Sequence, residues 1–191
     1  MGRVVAPIGE WVEDEFLQRA SHALFSEDGT WLVDPVDGGY VDGLENVVGI
    51  VQLLDRHNRD CAAIADRLGV PYHVIPRTRL GPFEFLPVRL KRHWREVALW
   101  WADERVLVCG DAVGTVGYFR AGGERLGVHP LLRLRPPRLD IHPEVILCGH
   151  GPGVFDGADA ALREALSTAR RRIPQQFVAA VRAWRRRPRS R

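Results

Sequence analysis

Along this chain, apolar residues gather into short runs that end abruptly at polar clusters. Asn46 to Leu54, Arg105 to Cys109 and Glu144 to Cys148 have the length and the β-branched content of buried strands. They stop at Asp55–Cys61, at Gly110-Asp111 and at Gly149-His150-Gly151. In layered α/β proteins the ligand-bearing loops follow the carboxyl ends of strands. Function is therefore to be sought at these three strand ends.

Between those runs the pattern alternates between strand and helix. HALFSEDGTWLVDPV reads as two strands joined at Glu27-Asp28-Gly29, where Asp-Gly supplies the positive φ of a tight hairpin, and Asp34 ends the second strand. Asp60 to Leu68 carries Ala63, Ile64 and Leu68 at helical spacing and stops at Gly69, a helix-ending residue. VPYHVIP follows as a short strand, so this stretch is a β-loop-α-β unit with locally parallel strands. EVALWWADERVLVC instead reads as an antiparallel hairpin turning at Ala102-Asp103-Glu104. Parallel and antiparallel elements are thus mixed. Ala158 to Arg172 and Pro174 to Arg187 predict two terminal helices, the second with Pro174 near its first turn.

Composition narrows the classes. A chain of 191 residues fits one domain with a layered core. Its net charge of +3 rests heavily on Arg170-Arg171-Arg172 and on the terminal AWRRRPRSR, leaving the body close to neutral. No aromatic-interleaved basic module accompanies that charge, which argues against nucleic acid as a partner. No apolar stretch approaches the roughly 20 residues of a membrane span, and MGRVVAPIGEWVEDEF turns acidic before a signal-like segment develops, so the expected location is cytoplasmic with no membrane partner. Cys61, Cys109 and Cys148 are odd in number and lack CxxC spacing, so neither a disulfide framework nor a thiolate zinc knuckle is indicated. Trp94, Trp100 and Trp101 read as core, with a pocket cover or a homodimer interface as the alternatives.

The order of motifs resembles the metallo-β-lactamase superfamily over most of the chain: TWLVDP, a polar cluster between an apolar strand and a helix, EVALWWADERVLVCGDAV, and VILCGHGPGV before a helix. The resemblance implies an α/β fold, an αββα sandwich of two mixed β-sheets flanked by helices, with a metal site at one edge. It places a metallo-β-lactamase-like domain over residues 1–172, with 173–191 as a C-terminal helix and basic tail.

Active members of that family hold one or two metal ions with an HxHxDH cluster, a further His, a bridging Asp and a final His. Matching Asp60 to the family Asp puts Arg56, Asn58 and Cys61 at the three His positions and His57 on a spacer. Asp111 and His150 match the bridging Asp and the final His, whereas the further His has only His93 to offer, with a shifted loop. The expected metal set is therefore His57, Asp60, Asp111 and His150, with Cys61 or His93 as other completions and Asp60 and Asp111 as catalytic candidates. Arg56 and Arg59 oppose it, because a guanidinium keeps its charge and weakens a neighbouring cation's binding. Zinc is expected to be weakly held or absent, and Arg56 or Arg59 to pair with Asp60 or Asp111. The leading expectation is a hydrolase-like protein with a degraded zinc site, inactive or weakly active, acting on a small molecule not specified by the sequence. Two alternatives stay open: an active metal-dependent hydrolase of thioesters or esters, and a non-catalytic anion-binding or scaffolding protein.

Overall fold

The structure, a computed structural model, describes residues 2–176 and 178. Six strands form the first sheet: β1 (Gly2–Val5), β2 (Ile8–Val12), β3 (Ala20–Ser26), β4 (Gly29–Val33), β5 (Val47–Gln52) and β6 (Tyr72–Val74), side by side in chain order. The first four are antiparallel, and β4, β5 and β6 run parallel. Helix α1 (Cys61–Leu68) makes the crossover from β5 to β6 and ends at Gly69 with φ 65°. The second sheet is built from β7 (Phe83–Lys91), β8 (Trp94–Trp101), β9 (Val106–Cys109) and, after the short ladder of β10 (Val113–Gly114) and β11 (Gly127–Val128), β12 (Val145–Cys148). Its order is β12-β9-β8-β7, with β12 and β9 parallel. Helix α2 (Ala158–Thr168) follows.

Strand alternation sorts the apolar residues into three layers. Trp31, Val33, Val51, Val97, Leu99, Val106, Val108 and Leu147 point into the space between the sheets. Leu32 and Ile50, on the opposite face of the first sheet, meet Cys61, Ile64 and Ala65 of α1. Ala98, Leu107, Ile146 and Cys148 meet Ala158, Ala161, Leu162 and Ala165 of α2. The result is the expected αββα sandwich. A buried aliphatic side chain contributes roughly 1.5–3 kcal/mol, so these layers, rather than the loops, fix where the strand ends lie.

The two sheets are stitched together at the end where those strands exit. Beyond β5, Val97 N–H donates to Leu53 O at 3.0 Å and Asp55 N–H to Arg95 O at 3.0 Å. At the start of β3, Ala20 N–H donates to Gly149 O at 3.0 Å.

The three apolar runs became β5, β9 and β12, and both predicted hairpins formed. α2 ends at Thr168, short of Arg172. Residues 173–176 and 178 are helical, while residues 177 and 179–187 of the predicted Pro174–Arg187 helix and the basic tail lie outside the described residues. The pattern missed β1, β2 and β7. In β7 the cause is Pro87, which breaks the strand signal; it is tolerated because β7 is an edge strand and its register with β8 shifts between Pro87 and Arg89. No helix of the described residues is long and apolar enough to cross a membrane.

Candidate metal centre

Strand ends from both sheets deliver the site. At the exit of β4, Asp34 adopts φ 46°, a conformation uncommon outside glycine, and its Oδ1 accepts from Leu53 N–H at 2.9 Å. After β5 the chain turns sharply, His57 N–H donating to Leu54 O at 2.9 Å, and the turn aims the His57 ring inward. Beyond β9, Gly110 leads to Asp111, whose neighbour Ala112 is held by a 2.8 Å bond from its N–H to Glu96 Oε1. β12 leads through Gly149 to His150. A Cβ on Gly149 would sit 2.5 Å from Gly110 O and 2.6 Å from His57 Cε1, so only glycine lets the second sheet approach the histidine this closely.

Three side chains converge there, each nearly sealed from solvent: His57, Asp111 and His150. Asp111 Oδ1 lies 3.0 Å from His57 Nε2 and 3.2 Å from His150 Nε2. The far nitrogens are also engaged: His57 Nδ1 faces Asp34 Oδ2 at 2.9 Å, and His150 Nδ1 donates to Leu17 O at 2.8 Å. A carbonyl oxygen can only accept, and an ionised carboxylate likewise, so both Nδ1 atoms carry hydrogen. Each Nε2 is then either a lone pair or a second N–H. Lone pairs aimed at a carboxylate oxygen repel one another, so a positive species must lie between them, either protons on the rings or a metal ion.

Electrostatics agree with a protonated His57 when no ion is bound. Burial opposes charge on His57, but the Asp34 charge and the hydrogen bonds to Asp111 and Asp34 outweigh it and raise its pKa to about 9. Burial pushes the Asp111 carboxyl up, yet the hydrogen bonds and charges of His150 and His57 prevail and hold it well below the usual carboxylate range. Beneath them, burial and the Asp111 charge raise the pKa of Glu96 to about 7.

Two arginines take different places. Arg59, at φ 37°, donates to Ala20 O at 2.5 Å, Asp34 O at 2.6 Å and Gly149 O at 2.8 Å. Those carbonyls belong to both sheets, so one guanidinium braces the site edge; burial lowers its proton affinity. Arg56 stays at the mouth, its side chain 46% exposed, with Cζ 4.3 Å from the Trp94 ring centroid and Nε 3.9 Å from Asp111 Oδ2.

The other expected residues stand apart. Asp60 does not join the cluster, because it occupies the first cap position of α1 and its Oδ2 accepts from Asp37 N–H at 2.8 Å. Cys61 is the first residue of α1, on the buried face that meets the first sheet, with its thiol on His57 O and burial pushing its pKa far up. Asn58 is exposed, and His93 is exposed in the β7–β8 turn. Two residues outside the expected set also border the cluster. Asp34 binds a backbone donor with one oxygen and holds His57 with the other. His129 packs against Trp94 and Phe119, and Phe119 stacks on His150 at 5.8 Å. No spacing in the sequence joins these residues.

The donor set fits one metal ion. Two imidazole nitrogens and a carboxylate oxygen, all within 4.8 Å of one another, could hold a metal ion, and three such protein ligands are the number a catalytic zinc takes. The Asp34–His57 contact is the outer carboxylate that such a histidine ligand uses for orientation. Among the described residues no second ligand group gathers beside it: the β5–α1 connection presents guanidinium groups and an outward Asn58, and Cys61 is buried at the start of α1.

No family model and no curated protein matches the chain. Solved structures do superpose on it. A metallo-β-lactamase from Pontibacter korlensis aligns with a TM-score of 0.58 at 14% identity, over 86% of this chain and 97% of that one. A diflavin flavoprotein fragment from Nostoc gives 0.56 at 12% identity, over 93% and 98%. TTHA1623, crystallised in a di-iron-bound form, gives 0.50 at 18% identity, over 79% and 96%.

Proposed function

We propose that this chain, which has the metallo-β-lactamase fold, is a hydrolase-like protein whose metal centre is reduced to one weakly held zinc position, with weak hydrolysis or none. His57, Asp111 and His150 would hold the ion. One observation carries the reading: two Nε2 atoms, each with its Nδ1 hydrogen committed to an outer acceptor, meet on one oxygen of Asp111. When bound there, zinc supplies Lewis-acid polarisation of a carbonyl or phosphoryl oxygen.

The remaining residues support the centre or weaken it. Asp34 orients His57, and Glu96 fixes the backbone after Asp111. Protons compete with metal for His57, whose pKa is raised to about 9, and the permanent charges of Arg56 and Arg59 lie close by. Both effects reduce affinity for a divalent cation. Asp60 has no part in this centre. Metal-binding neighbours, one named for a di-iron-bound form, are consistent with an ion at this edge of the fold.

Calorimetric titration of zinc into chelator-treated protein tests the reading, run beside hydrolysis assays on thioester and ester reporters. The expected result is a single site of modest affinity that disappears in His57→Ala. Two tightly bound zinc ions, or a site indifferent to His57→Ala, would overturn it.

A further inference from the structure

Arg56 is held in place by two long ion pairs that leave its terminal N–H groups open. Its guanidinium lies over Trp94 at 4.3 Å, and the Trp94 indole N–H is itself tied to Glu96 Oε2 at 2.8 Å. Its nearest carboxylates, Asp55 Oδ1 at 3.8 Å and Asp111 Oδ2 at 3.9 Å, are beyond hydrogen-bond reach. Among the described residues no protein acceptor takes its N–H groups. Asp55 is engaged elsewhere, its Oδ2 accepting from Arg95 N–H at 3.1 Å. A planar fork stacked on an aromatic face beside the His57–Asp111–His150 cluster, with its Nε side in two long ion pairs and its terminal N–H groups without a protein acceptor, is suited to an incoming oxyanion.

A second donor stands on the same tryptophan. His129 Nδ1 accepts from Leu131 N–H at 3.2 Å, so the proton of the neutral ring is on Nε2. Burial keeps that ring neutral, lowering its pKa to about 4. Nε2 has no protein partner among the described residues and is not one of the sealed unpaired atoms. The His129 ring lies 4.8 Å from the Trp94 ring, within the electrostatic reach of Arg56, Asp111 and His150.

We propose that Arg56 and the Nε2–H of His129, arranged around Trp94, form an anion-recognition site at the mouth of the His57–Asp111–His150 centre. The molecule that enters therefore carries a carboxylate or phosphate group close to the bond it presents. The proposal deepens the hydrolase-like reading and rests on it for the chemistry, but the binding step needs no metal. Arg56 thus serves recognition at a position where the family pattern has a metal-binding histidine.

The test uses chelator-treated full-length protein, with inorganic phosphate and acetate as separate probes in calorimetric titrations. Parent protein is expected to bind at least one of them, more weakly as chloride is raised. Arg56→Gln should weaken that binding by about tenfold, the scale of one charge-assisted hydrogen-bonding group, and His129→Gln by less. Phosphate and acetate arms tell which oxyanion is preferred. In parent protein the Arg56 Nε–H resonance should also move as the preferred anion is added, a readout that survives if the variants fail to fold. Absence of binding by the parent, unchanged affinity in Arg56→Gln, or an unmoved Arg56 resonance would each overturn the proposal. Zinc titration of the same samples separates the two readings, because absent zinc binding alongside Arg56-dependent anion binding retires the metal centre and leaves anion recognition in place.

Discussion

The ends of β9 and β12 and the connection from β5 to α1 meet at the same side-chain cluster, yet they are built on different principles. In the first region each strand ends in glycine and then places one side chain, Asp111 or His150, with little choice of direction. In the second, eight residues from Leu53 to Asp60 lie between strand and helix, and the tertiary contacts decide which of them points inward. His57 does; Asp60 turns to Asp37, and Arg59 crosses to three carbonyls, while Cys61 beyond them opens the helix. A short rigid connection preserves a ligand position, whereas a longer loop can transfer the role to a neighbour and fill the vacated space with a cation.

The largest effect should come from the residue that joins the two regions. Arg59→Met removes donors to Ala20, Asp34 and Gly149 and leaves their carbonyls short of partners at the seam between the sheets. Unpaired buried acceptors and a lost charge-assisted network cost about 3 kcal/mol together. Urea denaturation should show that loss; a change below about 1 kcal/mol would mean that the brace is replaceable by water.

Next in size are the proposed metal ligands, which separate inward from outward residues of the loop. His57→Ala should lower zinc affinity by about a hundredfold or more, and Asp34→Asn by about ten- to hundredfold, since the outer carboxylate fixes and polarises the ligand. Equal affinity in Asp34→Asn and parent would show that His57 is oriented by other means.

These residues also show why the strand framework could be read from the chain and the loop could not. β5, β9 and β12 announce themselves by apolar runs with polar stops, and Asp111 and His150 are the first functional groups after two of them. Motif spacing in the β5–α1 loop favoured Asp60, but positive φ at Arg59 and the tight bond from His57 N–H to Leu54 O change which side chains face inward. Those features are tertiary outcomes, set by the seam with β8 and Gly149. The same holds for Asp34, legible as a turn residue with one oxygen on a backbone donor, while its second oxygen meets a histidine 23 positions later in the chain. β7 and His129 escaped for a simpler reason: Pro87 disguises an edge strand, and His129 has no ligand-like spacing.

A smaller effect should appear in the pH dependence of metal-free protein. His57 has a folded pKa of about 9, above the roughly 6.5 of an unfolded histidine. The folded state therefore binds this proton more tightly. The stabilisation is fully present below about pH 6.5 and is lost as pH rises toward 9. Denaturation of chelator-treated protein should show stability declining across that window, with the slope reduced in His57→Asn. A parent curve whose His57-dependent part rises with pH would contradict the charged imidazole inferred between Asp34 and Asp111.

The smallest effect belongs to Asp60, and its size decides between motif and geometry. Spacing alone makes Asp60 a metal ligand equivalent in importance to Asp111; the structure instead commits its Oδ2 to Asp37 N–H, away from the cluster. Asp60→Asn keeps a carbonyl oxygen for that bond, so neither fold nor metal position should be much disturbed, and zinc affinity should stay within about twofold of the parent. Asp111→Asn, by contrast, removes the charge on which both Nε2 atoms converge and should cost affinity on the scale of a lost ligand. Paired zinc titrations of the two variants give the comparison directly. If Asp60→Asn loses zinc as severely as Asp111→Asn, the loop must rearrange when metal binds, bringing Asp60 inward and restoring the ligand that the spacing predicts.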